Sequence, residues 1–413
     1  MPDKEKSTHK LSGGKIKLLL SHLDFEFYGF ILIIFFGLSL LLFRLTSLTL
    51  GFINKEELIT KHQLFLHSPW WLSLNGFYGP YFLLLHLTYA INRSLFGFRL
   101  ASVIIALLVI SIIYMLVSSW HGYKVGMLAS VIVLFNLGLL TAGREATPLV
   151  SQMLLMAALL LVIAVLNRKP SLLGLILAAI VLAGALYLPG GIWLSLVTAL
   201  LVQRAIVKTF RTLRNKSKIL TILLLLIMLV PIFYQLIAHY QTSQLKVWLG
   251  YDLGNKFLLS GRNFLINLIH VPGDLFIHSE GLGPALSIGH LPVFPIAFSI
   301  LFLIGLVSYT TRLSNWRWRS VLVLFSSGWI VSGLGIISPL SLLPLVAITA
   351  GTGIAFLLKE WYSIFPRNPI ARNLGLTIMF LVIGLGSVYG ARSYFVAWAN
   401  NSNTTSIYVR RLN

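Results

Sequence analysis

The chain of 413 residues contains no cysteine. Disulfides, thiolate nucleophiles, Cys-ligated zinc and iron–sulfur clusters are therefore excluded. Charge is scarce as well. Only 10% of residues are charged, where a soluble domain carries roughly 25%. Acidic residues are scarcest, 11 against 32 lysines and arginines, for a net charge of +21. With 57% hydrophobic residues and a mean hydropathy of +0.88, the chain is neither a soluble domain nor a disordered one. Its apolar runs are continuous and lack the alternation of a membrane strand, so they are read as helices of about 20 residues that cross a bilayer.

The positive charge does not point to nucleic acid. The basic residues sit in short loops between apolar runs, where the positive-inside rule places them. Residues 1–27 are polar and basic, precede a long apolar run and show no A-x-A-like site. They read as a retained cytoplasmic tail rather than a cleaved signal peptide. Eleven spans are predicted, at about 28–48, 99–118, 126–142, 148–166, 171–188, 192–207, 219–237, 292–309, 320–338, 342–358 and 373–391. The fold class is thus an all-α polytopic membrane protein with one transmembrane domain over 28–398. The basic loops put the N-terminus in the cytoplasm, and eleven crossings put the C-terminus outside. Two long outer loops are expected, at about 49–98 and 238–291, with a polar, mobile outer tail from 399 to 413. Residues 77–92 are apolar enough to cross, but crossing would turn the six-cation loop 204–218 outward. They are read as a helix at the outer interface, where Tyr78, Tyr81 and Tyr89 suit the headgroup level.

Six of the acidic residues then face outward: Glu56, Glu57, Glu145, Asp252, Asp274 and Glu280. An ionisable group near membrane depth is costly and suggests a function. Glu56 and Glu57 follow the first span, and Glu145 follows the third beside Arg144. A carboxylate at such an edge can act as general base on a hydroxyl, and a second carboxylate nearby raises its pKa. The alternatives stay open: a solvated acidic pair opening a short helix, and an Arg144–Glu145 charge pair capping one. In the second long loop, Arg262, His270, Asp274, His278, Glu280 and His290 match no particular metal spacing. Arg262 and His270 suit an anionic headgroup equally well.

Four pieces in order carry a family resemblance: the acidic pair Glu56–Glu57, the segment YGPYFLLLHL, the entry LFGFRLAS and the run TAGREATP. Together they resemble the GT-C class of membrane glycosyltransferases, nearest to bacterial relatives of protein O-mannosyltransferases and lipid A aminoarabinose transferases. Glu56 stands where the family usually has Asp, and one proline, Pro80, stands where it often has two. The resemblance implies a polyprenyl-phosphate-linked sugar donor and a lipid, glycan or protein acceptor. Transfer would occur on the outer face of the cell membrane with inversion. It implies Glu56, Glu57 and Glu145 as catalytic residues. Arg144, Arg262, Tyr78, Tyr81 and His270 are the expected substrate-binding residues. No cofactor is fixed; a divalent metal is an open alternative. A transporter of lipid-linked sugars and an inactive scaffolding relative are the competing readings. A transporter should carry its polar residues near mid-membrane, whereas here the acids lie at span ends.

Overall fold

The computed structural model describes residues 12–48, 53–66, 76–168, 171–238, 261–283, 285–311 and 313–409. The chain is helical almost throughout. Helices α1 (Ser12–Leu42), α2 (Lys55–Leu66), α3 (Gly79–Ile91) and α4 (Leu95–His121) come first. Next are α5 (Tyr123–Leu134), α6 (Leu137–Arg144), α7 (Leu149–Arg168), α8 (Leu172–Ala185), α9 (Gly191–Thr212) and α10 (Asn215–Ala238). The second half holds α11 (Gly261–Phe276), α12 (Ile296–Thr310), α13 (Trp316–Gly333), α14 (Leu343–Ile364), α15 (Pro369–Arg392) and α16 (Ser402–Ile407). Ten of the eleven predicted windows overlap one helix each, and the window 126–142 covers α5, α6 and the break between them. Among the described residues, seven helical segments are long and apolar enough to cross a membrane, or eight with α5 and α6 taken as one bent span. Helix α13 has 18 residues, but α8 and α12 have only 14 and 15. At 1.5 Å per residue the two shorter helices reach about 21–23 Å, less than a hydrocarbon core of about 30 Å. Helix α3 has 13 residues and folds back along α4, with Tyr81 opposite Ser102 and Tyr89 opposite Phe98. It is likewise too short to cross.

Burial separates the centre from the lipid-facing rim. Of the apolar windows, 83% of the one through α14 is buried but only 11% of the one in α10. A helix that is apolar all round belongs in the interior or against lipid, and these two take one place each. Small residues let α14 approach α12 closely: a Cβ on Gly305 or Gly353 would lie 2.0 Å from a backbone carbonyl of the other helix. This is the small-residue crossing that close-packed membrane helices use. The break between α5 and α6 bends the chain by 67°. Asn136 sits in the break, capping α6 by accepting from the Gly138 N–H and donating to the Val293 carbonyl at 3.0 Å. Pro272 in α11 leaves the Leu268 carbonyl without its helical donor. The Trp329 indole of α13 donates to it at 2.7 Å.

The two ends of the helical region meet. Strand β1 (Ile53–Asn54) pairs antiparallel with β2 (Tyr408–Val409), Asn54 opposite Tyr408. The expectation of a mobile tail from 399 is corrected over 399–409. Trp398 and Ala399 are buried, Trp398 donates to the Ala285 carbonyl at 3.0 Å, and Tyr408 is buried against Trp398. The opposite face holds an aromatic belt. There His121 stacks on Trp318, Tyr309 stacks on Trp318, and Arg168 and Arg317 line a cleft with Trp120. Glu57 and Glu145, at the start of α4, and the Arg168–Arg317 cleft, at its end, thus sit at opposite ends of the bundle.

Candidate functional site

Helix α2 starts with a capping box. The Asn54 side chain accepts from the Glu57 N–H at 2.6 Å, and Glu57 Oε2 accepts from the Asn54 N–H at 3.3 Å. This satisfies two of the donors that a helix N-terminus leaves over and directs Glu57 inward. There Glu57 is fully buried and meets Arg99 of α4 in a two-pronged pair, Nε to Oε1 at 2.7 Å and Nη2 to Oε2 at 2.8 Å. The Ala146 N–H donates to Oε1 at 2.8 Å, and Arg99 also donates to the Leu45 carbonyl at 2.7 Å. Glu57 therefore accepts four hydrogen bonds, about what a carboxylate can hold. It ties the first loop to α4 and to the turn after α6, and has no lone pair left for a substrate proton.

Glu145 is 2% exposed and lies against the same hub. Its Oε2 accepts from Asn54 Nδ2 at 2.8 Å and its Oε1 from the Tyr408 hydroxyl at 2.6 Å. Burial, and then the Glu57 charge, hold its pKa above the ordinary carboxylate range. Arg144 does not accompany it. The Arg144 guanidinium donates to the Leu40 and Phe43 carbonyls at 2.7 and 2.6 Å and lies over the Tyr394 and Phe395 rings. A cation at the C-terminal end of α1 meets carbonyls that have no helical partner and the negative end of the helix dipole. Arg144 is 2% exposed, and in this arrangement its guanidinium fastens α1.

Glu56 is the residue of the three that stays open. It is exposed, and its carboxylate accepts no hydrogen bond from any described residue; only its backbone carbonyl does, from the Thr60 hydroxyl. The protein around it and the neighbouring Glu57 charge raise its pKa, burial first. Its position in the first turn of α2 favours the ionised form through the helix dipole.

The remaining expected residues lie around two cavities that share Tyr78. One, of about 300 Å³, is apolar; Tyr78, Tyr81, Leu84, Leu108, Leu154 and Met228 are part of its wall. The other, of about 480 Å³, is polar; Tyr78, Gln152, Asn267, His270, Asp274 and Ser332 help to line it. Tyr78 has a left-handed backbone, φ 59°, which is strained for a bulky residue. It is held there by its N–H to the Tyr187 carbonyl at 2.7 Å and by Gln152, which donates to its hydroxyl at 2.9 Å. Gln152 in turn accepts from the Ser338 N–H. The Tyr81 hydroxyl is satisfied inside by Ser102 at 3.0 Å. His270 is exposed at the polar cavity. The side chains of Arg262 and Glu280 lie outside the described residues. Asp274 is 6% exposed, one of its carboxylate oxygens has no hydrogen-bond partner, and burial raises its pKa against the Gly281 N–H, His270 and His278.

No group of three or more His, Asp or Glu among the described residues is arranged to hold a metal. The donor chemistry agrees: Glu57 is saturated by N–H donors, and both oxygens of Glu145 are engaged. As they are arranged here, Glu57 and Glu145 have no oxygen to spare for a cation.

No family model matches the chain, and no curated protein matches it significantly. Solved structures do. ArnT from Cupriavidus metallidurans, in the apo state, superposes with a TM-score of 0.54 at 13% identity, covering 91% of this chain and 76% of that one. The same protein bound to undecaprenyl phosphate gives 0.55 with the same coverage. The Archaeoglobus fulgidus oligosaccharyltransferase, in complex with zinc and sulfate, gives 0.50 at 13% identity over 93% of this chain and 54% of that one. The fold of this chain is the GT-C fold. It is a multi-pass membrane protein. Two residues of the site, Asn54 and Tyr408, escape a reading of the sequence as spans and charges, and a third, Arg99, is legible as an outer cation but not as the partner of Glu57. Asn54 was open to detection, because Asn-x-x-Glu is a capping-box pattern. Arg99 stands in the family-like LFGFRLAS entry, but its partner is not legible there. Tyr408 gives no signal.

Proposed function

We propose that the chain is an integral-membrane glycosyltransferase. It moves a sugar from a polyprenyl-phosphate donor to an acceptor hydroxyl on the extracytoplasmic face, with inversion. The observation that carries this reading is the division of labour among three clustered carboxylates. Glu57 and Glu145 are consumed by internal hydrogen bonds, while Glu56 presents free oxygens at the edge of the bundle. Glu56 is the general base: it takes the proton of the acceptor hydroxyl as that oxygen bonds to the anomeric carbon. The bond from that carbon to the phosphate oxygen breaks, and polyprenyl phosphate leaves with the electron pair. A single in-line displacement of this kind inverts the anomeric centre. Lys55 and Arg93 are exposed at that face and can meet the leaving phosphate with Arg262. Glu57, Arg99 and Glu145 are positioning residues that hold α2 in place. The fold's likeness to ArnT, one structure of which holds undecaprenyl phosphate, supports the donor class. The basic loops support eleven crossings, a cytoplasmic N-terminus and an outer C-terminus.

The test compares Glu56→Gln with wild type, purified in mild detergent and supplied with undecaprenyl-phosphate-linked sugars. Turnover is expected to fall by about 10²–10⁴, the usual worth of a positioned base, with undecaprenyl phosphate still bound in preference to phospholipid. In wild type the rate should rise with pH through the elevated Glu56 pKa, since the base acts only when ionised. An unchanged rate in Glu56→Gln removes Glu56 from the chemistry.

A further inference from the structure

The geometry points to the polar cavity beside α11 and α13 as the seat of the donor's sugar ring, a neutral polyhydroxylated sugar, with Asp274 and Ser332 as the residues that select it. This rests on the glycosyltransferase reading above. Four observations lead to it. First, two buried polar atoms on this one cavity wall, an Asp274 carboxylate oxygen and the Ser332 hydroxyl, have no hydrogen-bond partner. Asp274 and Ser332 are 6% and 4% exposed. Buried polar groups are almost always paired, so two orphans facing one space ask for a ligand rich in hydroxyls. Second, the wall adds Gln152, Asn267 and His270, and no lysine or arginine among the described residues lines the cavity. The cavity is thus built for neutral hydroxyls and not for the phosphate. His270 and Asp274 stand four residues apart on α11, which puts them on one face, spaced to meet neighbouring hydroxyls. Third, the cavity shares Tyr78 with the apolar one. Polar and apolar spaces divided by one rigidly held ring match a molecule with a sugar at one end and an isoprenoid chain at the other. Fourth, at about 480 Å³ the polar cavity falls in the size range of small-molecule sites, about 300–1,000 Å³.

Gly281 supports the assignment. A Cβ there would lie 2.6 and 2.7 Å from the two Asp274 oxygens, so only glycine leaves the carboxylate where it is. This supplies a variant that moves the carboxylate without removing it.

The experiment is native mass spectrometry of the full-length protein in detergent. The probes are undecaprenyl phosphate, the same lipid carrying glucose, mannose or galactose, the same lipid carrying an amino sugar, and phosphatidylglycerol. At least one neutral glycosylated probe should bind wild type about tenfold better than bare undecaprenyl phosphate, because a site built around hydroxyls rejects a ligand lacking them. Asp274→Ala, Ser332→Ala and Gly281→Ala should each erase most of that preference and leave binding of the bare lipid unchanged. If Asp274→Ala does not fold, Gly281→Ala and Ser332→Ala carry the test. An intact preference in the variants overturns the assignment. So does the absence of any preference for a neutral sugar over the bare lipid, and so does stronger binding of the amino-sugar probe. Failure of every polyprenyl lipid to outcompete phosphatidylglycerol removes the glycosyltransferase reading itself, a distinguishable result.

Discussion

Replacing Arg99 by methionine strands the Glu57 carboxylate. It would stay fully buried with only the Asn54 and Ala146 N–H groups as donors. Breaking a buried ion pair from one side costs about 3–5 kcal/mol, because a charge is left without compensation. Glu57→Met takes the two-pronged partner from the guanidinium in the same way, with the Leu45 carbonyl among those that remain. The double variant removes both charges together. What it still loses is the capping box, about 1 kcal/mol, and the partner of the Ala146 N–H, about 1–3 kcal/mol. The two single variants should therefore each be at least as unstable as the double, and the cycle should show strong coupling. Unfolding by SDS in mixed micelles, followed by tryptophan fluorescence, reads all four proteins. If the double variant is as unstable as the sum of the singles, the two residues do not act as a pair and Glu57 is free for another role.

Three further outcomes are expected. Arg144→Lys keeps the charge but reaches only one of the Leu40 and Phe43 carbonyls and loses the guanidinium stacking. It should cost about 1–3 kcal/mol in the same assay, and an unmoved transition would show that α1 is not held there. Tyr408→Phe removes the 2.6 Å hydrogen bond to Glu145. It should cost about 1–3 kcal/mol, the cost of leaving a buried acceptor without its donor, and speed hydrogen exchange at Asn54. The third concerns pH. The folded state holds the Glu145 proton more tightly than the unfolded chain does, so this group's stabilisation is complete below its unfolded pKa of about 4.5. It should decline as pH rises through the elevated folded value. Glu145→Gln should flatten that decline in thermal unfolding scans, and a slope equal to wild type would refute the assignment.

The helices were legible because continuous apolar runs leave the backbone no alternative in lipid. That Glu56, Glu57 and Glu145 gather at one end of the bundle was legible from span parity. What each acid does there was not. Glu56 and Glu57 are adjacent and alike in sequence, yet helical geometry sends one outward and the other inward to Arg99, 42 residues on. Arg144 and Glu145 fail as a pair because Arg144 is the last residue of α6 and the backbone turns extended at Glu145, so the two side chains part. The carbonyls that Arg144 meets lie 104 and 101 residues away. The contact from Tyr408 to Glu145 crosses 263 residues, and no local pattern encodes it. Polar composition made the segment after 399 read as loose, whereas its amides and hydroxyls bond within its own short helix and Tyr408 reaches Glu145.

The pairing of β1 with β2 has a consequence for biosynthesis. Helices α1 to α7 can enter the membrane as the ribosome delivers them, and the Glu57–Arg99 pair can form at that stage. Glu145 has to wait for Tyr408. A nascent chain shorter than about 409 residues therefore carries an unfinished centre at its outer edge, and a quality-control protease that reads exposed segments would find the first loop unlatched. Closure of the centre waits until the segment around Tyr408 has been made, so that products truncated before it are inserted with Glu145 short of a donor.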